Sequence, residues 1–227
     1  MKHLLLLHGA IGSKEQMNPL KETLSNAYHV SCINFSGHGG QELKEKFSIP
    51  QFAAEVLQWI KGKGLEKISI FGYSMGGYVA LYLARFYPDA VDSVITLGTK
   101  WHWDEKTSAK EVAMLNPQVI EQKLPKFAEQ LAQRHQPLDW KILLRKTATM
   151  LTEMGELNPL TGEDYADIAT KVLLLLGDRD KMVTLDETVA VFKLLPAAQL
   201  GVLPDTYHPI ESVDIQQLAH LIKKFLL

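Results

Sequence analysis

Cysteine is almost absent from this chain: there is one, Cys32, in 227 residues. A lone thiol closes no internal disulfide, so no disulfide framework holds the fold, and a cytoplasmic setting is expected. Long apolar runs are lacking too. The longest, such as Val172 to Leu176, fall far short of the roughly 18 residues a membrane span needs. The opening residues, Met1 to Leu7, read as a strand and not as a secretion signal with its charged region, apolar region and cleavage site. Neither sign of charge dominates, with 24 Lys plus Arg against 26 Asp plus Glu and a formal net charge of -2. Without a basic stripe or a polybasic patch, neither nucleic acid nor an anionic membrane surface is an expected partner. No histidine or cysteine cluster suggests a metal, no cofactor motif appears, and there are no repeats or low-complexity segments.

What is present is a regular alternation. At 227 residues the chain suits one domain with a full core. Six short apolar runs end in Gly or a small polar residue: Leu4–Leu7, Val30–Phe35, Ile68–Phe71, Val94–Leu97, Val172–Leu176 and Leu200–Leu203. Unbroken apolarity of this length is what strands buried on both faces of a parallel sheet require. Between them, apolar residues recur at helical spacing, for example Phe52, Val56, Leu57 and Ile60, then Tyr78, Leu81, Tyr82 and Ala84 ahead of Pro88. The alternation predicts βαβ units and an α/β fold, a mostly parallel sheet of about six strands with helices on both faces. From about Lys100 to Asp167 no strand appears, while Val119–Gln133 and Trp140–Met154 read as amphipathic helices. The expected organisation is therefore a core of residues 1–99 and 167–227 carrying a helical lid, 100–166, after the fourth strand.

The sharpest chemical signal is Gly72-Tyr73-Ser74-Met75-Gly76-Gly77, set between the Lys67–Phe71 strand and a helix containing Val79, Leu81 and Leu83. A serine on so tight a strand-to-helix turn needs flanking glycines, because neighbouring Cβ atoms would clash, and the turn pushes its Oγ out at the sheet's edge. A serine hydroxyl is a poor nucleophile at neutral pH, so it needs a base and a third group that fixes the base's tautomer. Gly177-Asp178-Arg179-Asp180 places two carboxylates just past a strand, and His208 lies in the loop between the last strand and the C-terminal helix. Chain order Ser, Asp, His is that of G-x-S-x-G hydrolases. Of the other histidines, His220 in a helix and His135 beside a lid loop are expected to be solvated, and His102 to be a surface residue.

These residues carry a resemblance to the α/β-hydrolase superfamily that covers nearly everything outside the lid. The resemblance implies that the acid is the last residue of the G-x-x-D turn, Asp180, leaving Asp178 as a turn residue bonded to its own backbone. It implies that Leu7-His8-Gly9-Ala10-Ile11 is the oxyanion loop, with the backbone N–H groups of Ala10 and Met75 as donors, and that His8 braces the loop or simply ends the strand. Ser36-Gly37-His38-Gly39-Gly40, after Asn34 where the superfamily has an aspartate, resembles its structural Gly-His-Gly segment. The His-Gly strand opens at residue 3, so the sheet is expected to lack the superfamily's first two strands. Cys32 reads as a small buried side chain.

The expected activity is that of a serine carboxylesterase: Ser74, Asp180 and His208 cleave a small, largely apolar ester, thioester or lactone through an acyl-enzyme. Ile11 and Trp103 are expected to wall the pocket, with Trp101 and Trp103 alternatively sealing lid to core. Two other readings stay open. One is a lyase or carbon–carbon hydrolase resembling the menaquinone-pathway synthase of this fold, which would want pocket arginines, here Arg134 or Arg145. The other is a low-turnover receptor for a small ligand.

Overall fold

The computed structural model describes residues 1–227. Six strands, β1 (His3–Leu7), β2 (His29–Ile33), β3 (Ile68–Tyr73), β4 (Val91–Leu97), β5 (Lys171–Gly177) and β6 (Ala198–Leu203), form one all-parallel sheet in the order β2-β1-β3-β4-β5-β6. Side chains alternate across the pleat into two apolar layers. Leu5 and Leu7 of β1, with Val172 and Leu174 of β5, join the layer covered by α2 (Ile49–Gly62), α3 (Met75–Phe86) and α9 (Leu185–Leu194). Leu4, Leu6, Leu173 and Leu175 join the opposite layer, under α1 (Asn18–Leu24) and α10 (Ile215–Leu226). An unbroken apolar run thus means a strand with both faces covered.

The edge strands depart from that expectation. No residue of β2 is fully buried, and of β6 only Leu203 is. Cys32, on β2, is accordingly half-buried, not buried, although its surroundings still push the thiol up to about 11 through desolvation. The chain leaves β1 toward β2 on one side and returns to β3 on the other, so a crevice opens beyond the carboxyl ends of β1 and β3. That switch point is where open α/β sheets bind ligands.

Between β4 and β5 lie five helices: α4 (Glu105–Ala113), α5 (Pro117–Lys123), α6 (Pro125–His135), α7 (Trp140–Glu156) and α8 (Gly162–Ala166). The single helix expected over Val119–Gln133 is broken at Leu124, because Pro125 lacks an N–H and forces its predecessor out of helical geometry. The sequence reading missed α4, whose inward face is polar, with Ser108 and Glu111 buried, so it carries no amphipathic pattern. α5, α6 and the start of α7 share a small core of Ile120, Ala128, Leu131, Trp140 and Leu144. Leu143, Met150 and Met154 of α7 belong instead to the main core, tying the insertion to the sheet. No helix is long and apolar enough to cross a membrane.

Candidate active site

Ser74 sits between β3 and α3 with φ 50° and ψ −118°, a conformation that costs a non-glycine residue about 1–3 kcal/mol. The surroundings impose it. Its N–H donates to the Leu97 carbonyl (2.9 Å), and its own carbonyl accepts from the Gly77 N–H (2.9 Å) and from the Thr99 hydroxyl (3.0 Å). The flanking glycines are required by contact: a Cβ at Gly76 would lie 2.6 Å from the Leu7 carbonyl oxygen, and one at Gly72 would strike the carbonyl of Gly76.

Beyond β5 and β6 the expected acid and base meet. His208 Nδ1 lies 2.7 Å from Asp180 Oδ2, while Asp180 Oδ1 accepts from the N–H groups of Met182 (2.8 Å) and Val183 (2.9 Å). Burial pushes the Asp180 carboxyl up, but the hydrogen bond and charge of His208, with the two amides, more than offset this and hold it below its ordinary value. A carboxylate only accepts, so Nδ1 carries the imidazole proton and Nε2 is the free acceptor. The Tyr73 hydroxyl donates to the His208 carbonyl (3.0 Å), and Gly98, at φ +59°, lets the end of β4 pass beneath the pair, where a Cβ would be 3.2 Å from Asp180 Oδ2. Asp178 is corrected in one respect: its carboxylate bonds not to its own turn but to the N–H of Thr206 (3.1 Å), in the loop that carries His208.

Ser74, His208, Ala10, Ile11, Met75 and Trp103 all line one cavity of about 1450 Å³, with Ser74 Oγ and His208 unbonded to each other. Catalytic hydrogen bonds are often loose without substrate. Met75 opens α3, where a backbone N–H has no intrahelical acceptor. Ala10 and Ile11 occupy a turn closed by the Gly12 N–H on the Gly9 carbonyl (3.2 Å). The two tryptophans divide the roles weighed for them: Trp101 is buried between Tyr78 and Tyr165, while Trp103 is half-exposed on the cavity wall. Most of the remaining wall is apolar, including Ile120, Phe127, Met150, Leu151 and Met154. Five charged side chains interrupt it: Glu15, Lys100, Glu111, Arg134 and Glu211. Lys100 pairs with Glu111 (3.4 Å) and donates to the Met182 carbonyl, and Arg134 donates to the Ile11 carbonyl (3.1 Å) and lies 3.7 Å from Glu211. Arg145 is exposed and off the cavity.

Three histidines are buried, His8, His38 and His135, and these are structural. His102 and His220 are exposed. His8 accepts from the Phe35 N–H (3.3 Å) and donates to the Gly9 carbonyl (2.7 Å), bracing the loop, and His38 donates to the Ser36 carbonyl (3.0 Å). His135 overturns the expectation of a solvated residue: it is 0% exposed, bonded to Gly39 and Ile11. Sequence reasoning missed it because a histidine at a polar helix end carries no local sign of partners 96 and 124 residues away.

A family model for the α/β hydrolase fold matches residues 2–163. The chain belongs to the α/β-hydrolase fold family. It is 23% identical over 250 residues to a Bacillus subtilis protein provisionally named 2-succinyl-6-hydroxy-2,4-cyclohexadiene-1-carboxylate synthase, covering 98% of this chain and 89% of that one. It is 32% identical over 99 residues to a serine hydrolase-like protein of Danio rerio, covering 42% of this chain and spanning only 30% of that relative. Among solved structures, an esterase of Thermogutta terrifontis superposes with a TM-score of 0.81 at 20% identity, covering 100% of this chain and 89% of that one. MenH from S. aureus superposes with a TM-score of 0.78 at 22% identity, covering 99% and 93%. At these identities the superpositions establish the fold alone.

Proposed function

We propose that this α/β-hydrolase-fold protein is a serine hydrolase that cleaves an uncharged carboxylic ester, or a related thioester or lactone, through an acyl-enzyme on Ser74. One observation carries the reading: a hydrogen-bonded Asp180–His208 pair opens onto the same cavity as a serine held at positive φ on a strand-to-helix turn. In this reading His208 Nε2 takes the proton from Ser74 Oγ as Ser74 attacks the carbonyl carbon, and the N–H groups of Ala10 and Met75 hold the oxyanion. Asp180 steadies the imidazolium, which then protonates the leaving alcohol. Water, deprotonated by the same imidazole, clears the acyl group, and residues 100–166 act as the lid that covers the site.

The cavity favours a substrate larger than a short-chain ester. At about 1450 Å³ it exceeds the roughly 300–1,000 Å³ of ordinary ligand pockets. Its walls of Met, Leu, Ile and Phe from α5 to α7 favour an apolar chain reaching well beyond a short acyl group. Hydrolysis of p-nitrophenyl esters of increasing acyl length, with Ser74→Ala alongside, tests the reading. It expects a burst of p-nitrophenol and Ser74-dependent turnover peaking above acetate; Ser74-independent turnover, or none on any chain length, would refute it.

The full-length Bacillus relative favours a second reading, elimination at a polycarboxylate substrate on the same site. Against it, Arg134 is the one arginine on the cavity, and Ile11 and Glu211 already engage its guanidinium. Product formed by proton elimination without acylation of Ser74 would distinguish the two.

A further inference from the structure

Ile11 is an unusual residue to find in its conformation. It holds φ 52° at the third position of the Gly9–Gly12 turn, where glycine or asparagine is favoured and a β-branched side chain is worst tolerated. A conformation of that kind persists only when its surroundings over-determine it. Here the surroundings come from the end of α6, more than 120 residues away. The Gly39 N–H donates to His135 Nδ1 (3.0 Å), which leaves the ring's single proton on Nε2, and Nε2–H donates to the Ile11 carbonyl (3.0 Å). Arg134 Nη1 donates to the same carbonyl (3.1 Å). His135 is thus a neutral bridge between the helical insertion and the loops that follow β1 and β2. Behind it stand the rings of His38 (6.0 Å) and, beyond that, His8, which holds the Gly9 carbonyl at the other end of the turn. A water-exposed loop would let Ile11 relax to negative φ by rotating the Ala10–Ile11 peptide. That rotation would disturb the turn whose first amide is the Ala10 N–H.

We propose that His135, with Arg134 as a second donor, is a positioning residue for the oxyanion hole. By clamping the Ile11 carbonyl it keeps the Ala10 amide aimed at the cavity, so that the hole is complete only while α6 is seated. The role rests on the hydrolase reading above, in which Ala10 donates to the oxyanion. It acts through the turn and not on substrate, so it predicts a loss in the transition state without a loss in ground-state binding.

The test uses His135→Phe, His135→Gln and Arg134→Met in the full chain, with three readouts: steady-state kinetics on a p-nitrophenyl ester, inhibition by a trifluoromethyl ketone, whose adduct with Ser74 carries an oxyanion, and inhibition by a non-covalent ether analogue of the substrate. His135→Phe should lower kcat about 10²-fold, the scale of one lost oxyanion donor, with KM within about threefold. The ketone should weaken by a similar factor and the ether analogue should not change. His135→Gln, whose amide can still donate and accept, should recover part of the loss. Arg134→Met should show the same pattern at smaller amplitude, and it serves where His135→Phe does not fold. Unchanged kcat and ketone affinity in folded variants would overturn the proposal, as would equal weakening of ketone and ether. Labelling of wild-type Ser74 by a fluorophosphonate separates the two failures: labelling with no variant effect removes only the positioning role, whereas no labelling removes the hydrolase reading and this role with it.

Discussion

Asp178 and Asp180 are two residues apart and use their carboxylates differently. Asp180 gives one oxygen to His208 and the other to two backbone amides, so it fixes the imidazole's tautomer and is itself fixed. Asp178 accepts one backbone N–H from Thr206, a bond that an asparagine Oδ1 would keep. Asp180→Asn should therefore cut kcat by about 10³- to 10⁴-fold, since an amide turned to donate would favour the wrong tautomer, while Asp178→Asn should stay within about threefold. Steady-state rates of the two variants on one ester check this, and equal losses would mean that the acid is misassigned. The contrast also marks what a sequence can carry at this scale. Ser74 is legible because its turn is made by its own neighbours, and Asp180 and His208 are legible because strand ends in a fixed chain order bring them to one edge. His135 is not legible, because its burial comes from Ile11 and Gly39 across the fold, and nothing next to it in sequence records them.

The same division runs through the elements. The central strands, with apolar residues on both faces, announce themselves; the ends of helices and the polar α4 do not, because Pro125 and the buried Ser108 and Glu111 break the period that identifies a helix. The segment leading into α4 lines the cavity through Trp103, so under the proposed hydrolase reading it would take part in selectivity. Trp103 is half-exposed on the cavity wall, pinned by its indole N–H on the Lys100 carbonyl (3.2 Å), whereas Trp101 two residues earlier is 4% exposed in the core. Removing a half-exposed ring leaves a void continuous with the cavity, so the cost in stability should be small while the usable chain length grows. Trp103→Ala should shift the acyl-length optimum toward longer esters with a loss of about 1 kcal/mol or less; Trp101→Ala should cost about 3–5 kcal/mol, as burying and then deleting a large aromatic does. Ester panels and denaturant midpoints measure both, and an unchanged length optimum in Trp103→Ala would make that ring structural.

Across the whole molecule, the buried histidines set how stability responds to acid. Desolvation lowers His8 and His135 from 6.5 to about 4, against partial compensation by the carbonyls of Gly9 and Ile11, and it takes His38 well below 6.5 as well. Arg134 beside His135 adds to the lowering, and Glu15 opposes it. In the unfolded chain these rings take up protons near their ordinary value; in the folded chain His8 and His135 do so only near 4, and His38 only well below its ordinary value. Between those limits the unfolded state binds more protons, so stability rises with pH across the window and falls as acid is added. For a ring shifted this far the loss between pH 7 and pH 5 is roughly 2 kcal/mol, a large part of the 5–15 kcal/mol typical of a folded domain. Asp180, held below its ordinary value, adds a loss only at lower pH still. Urea midpoints at pH 7 and pH 5 should therefore differ strongly, and His135→Gln, which removes one titrating ring, should flatten that difference by about a third to a half. Midpoints that agree at the two pH values would show that the imidazoles are not held neutral, and the bridge from α6 to Ile11, which requires an unprotonated Nδ1, would fail with them.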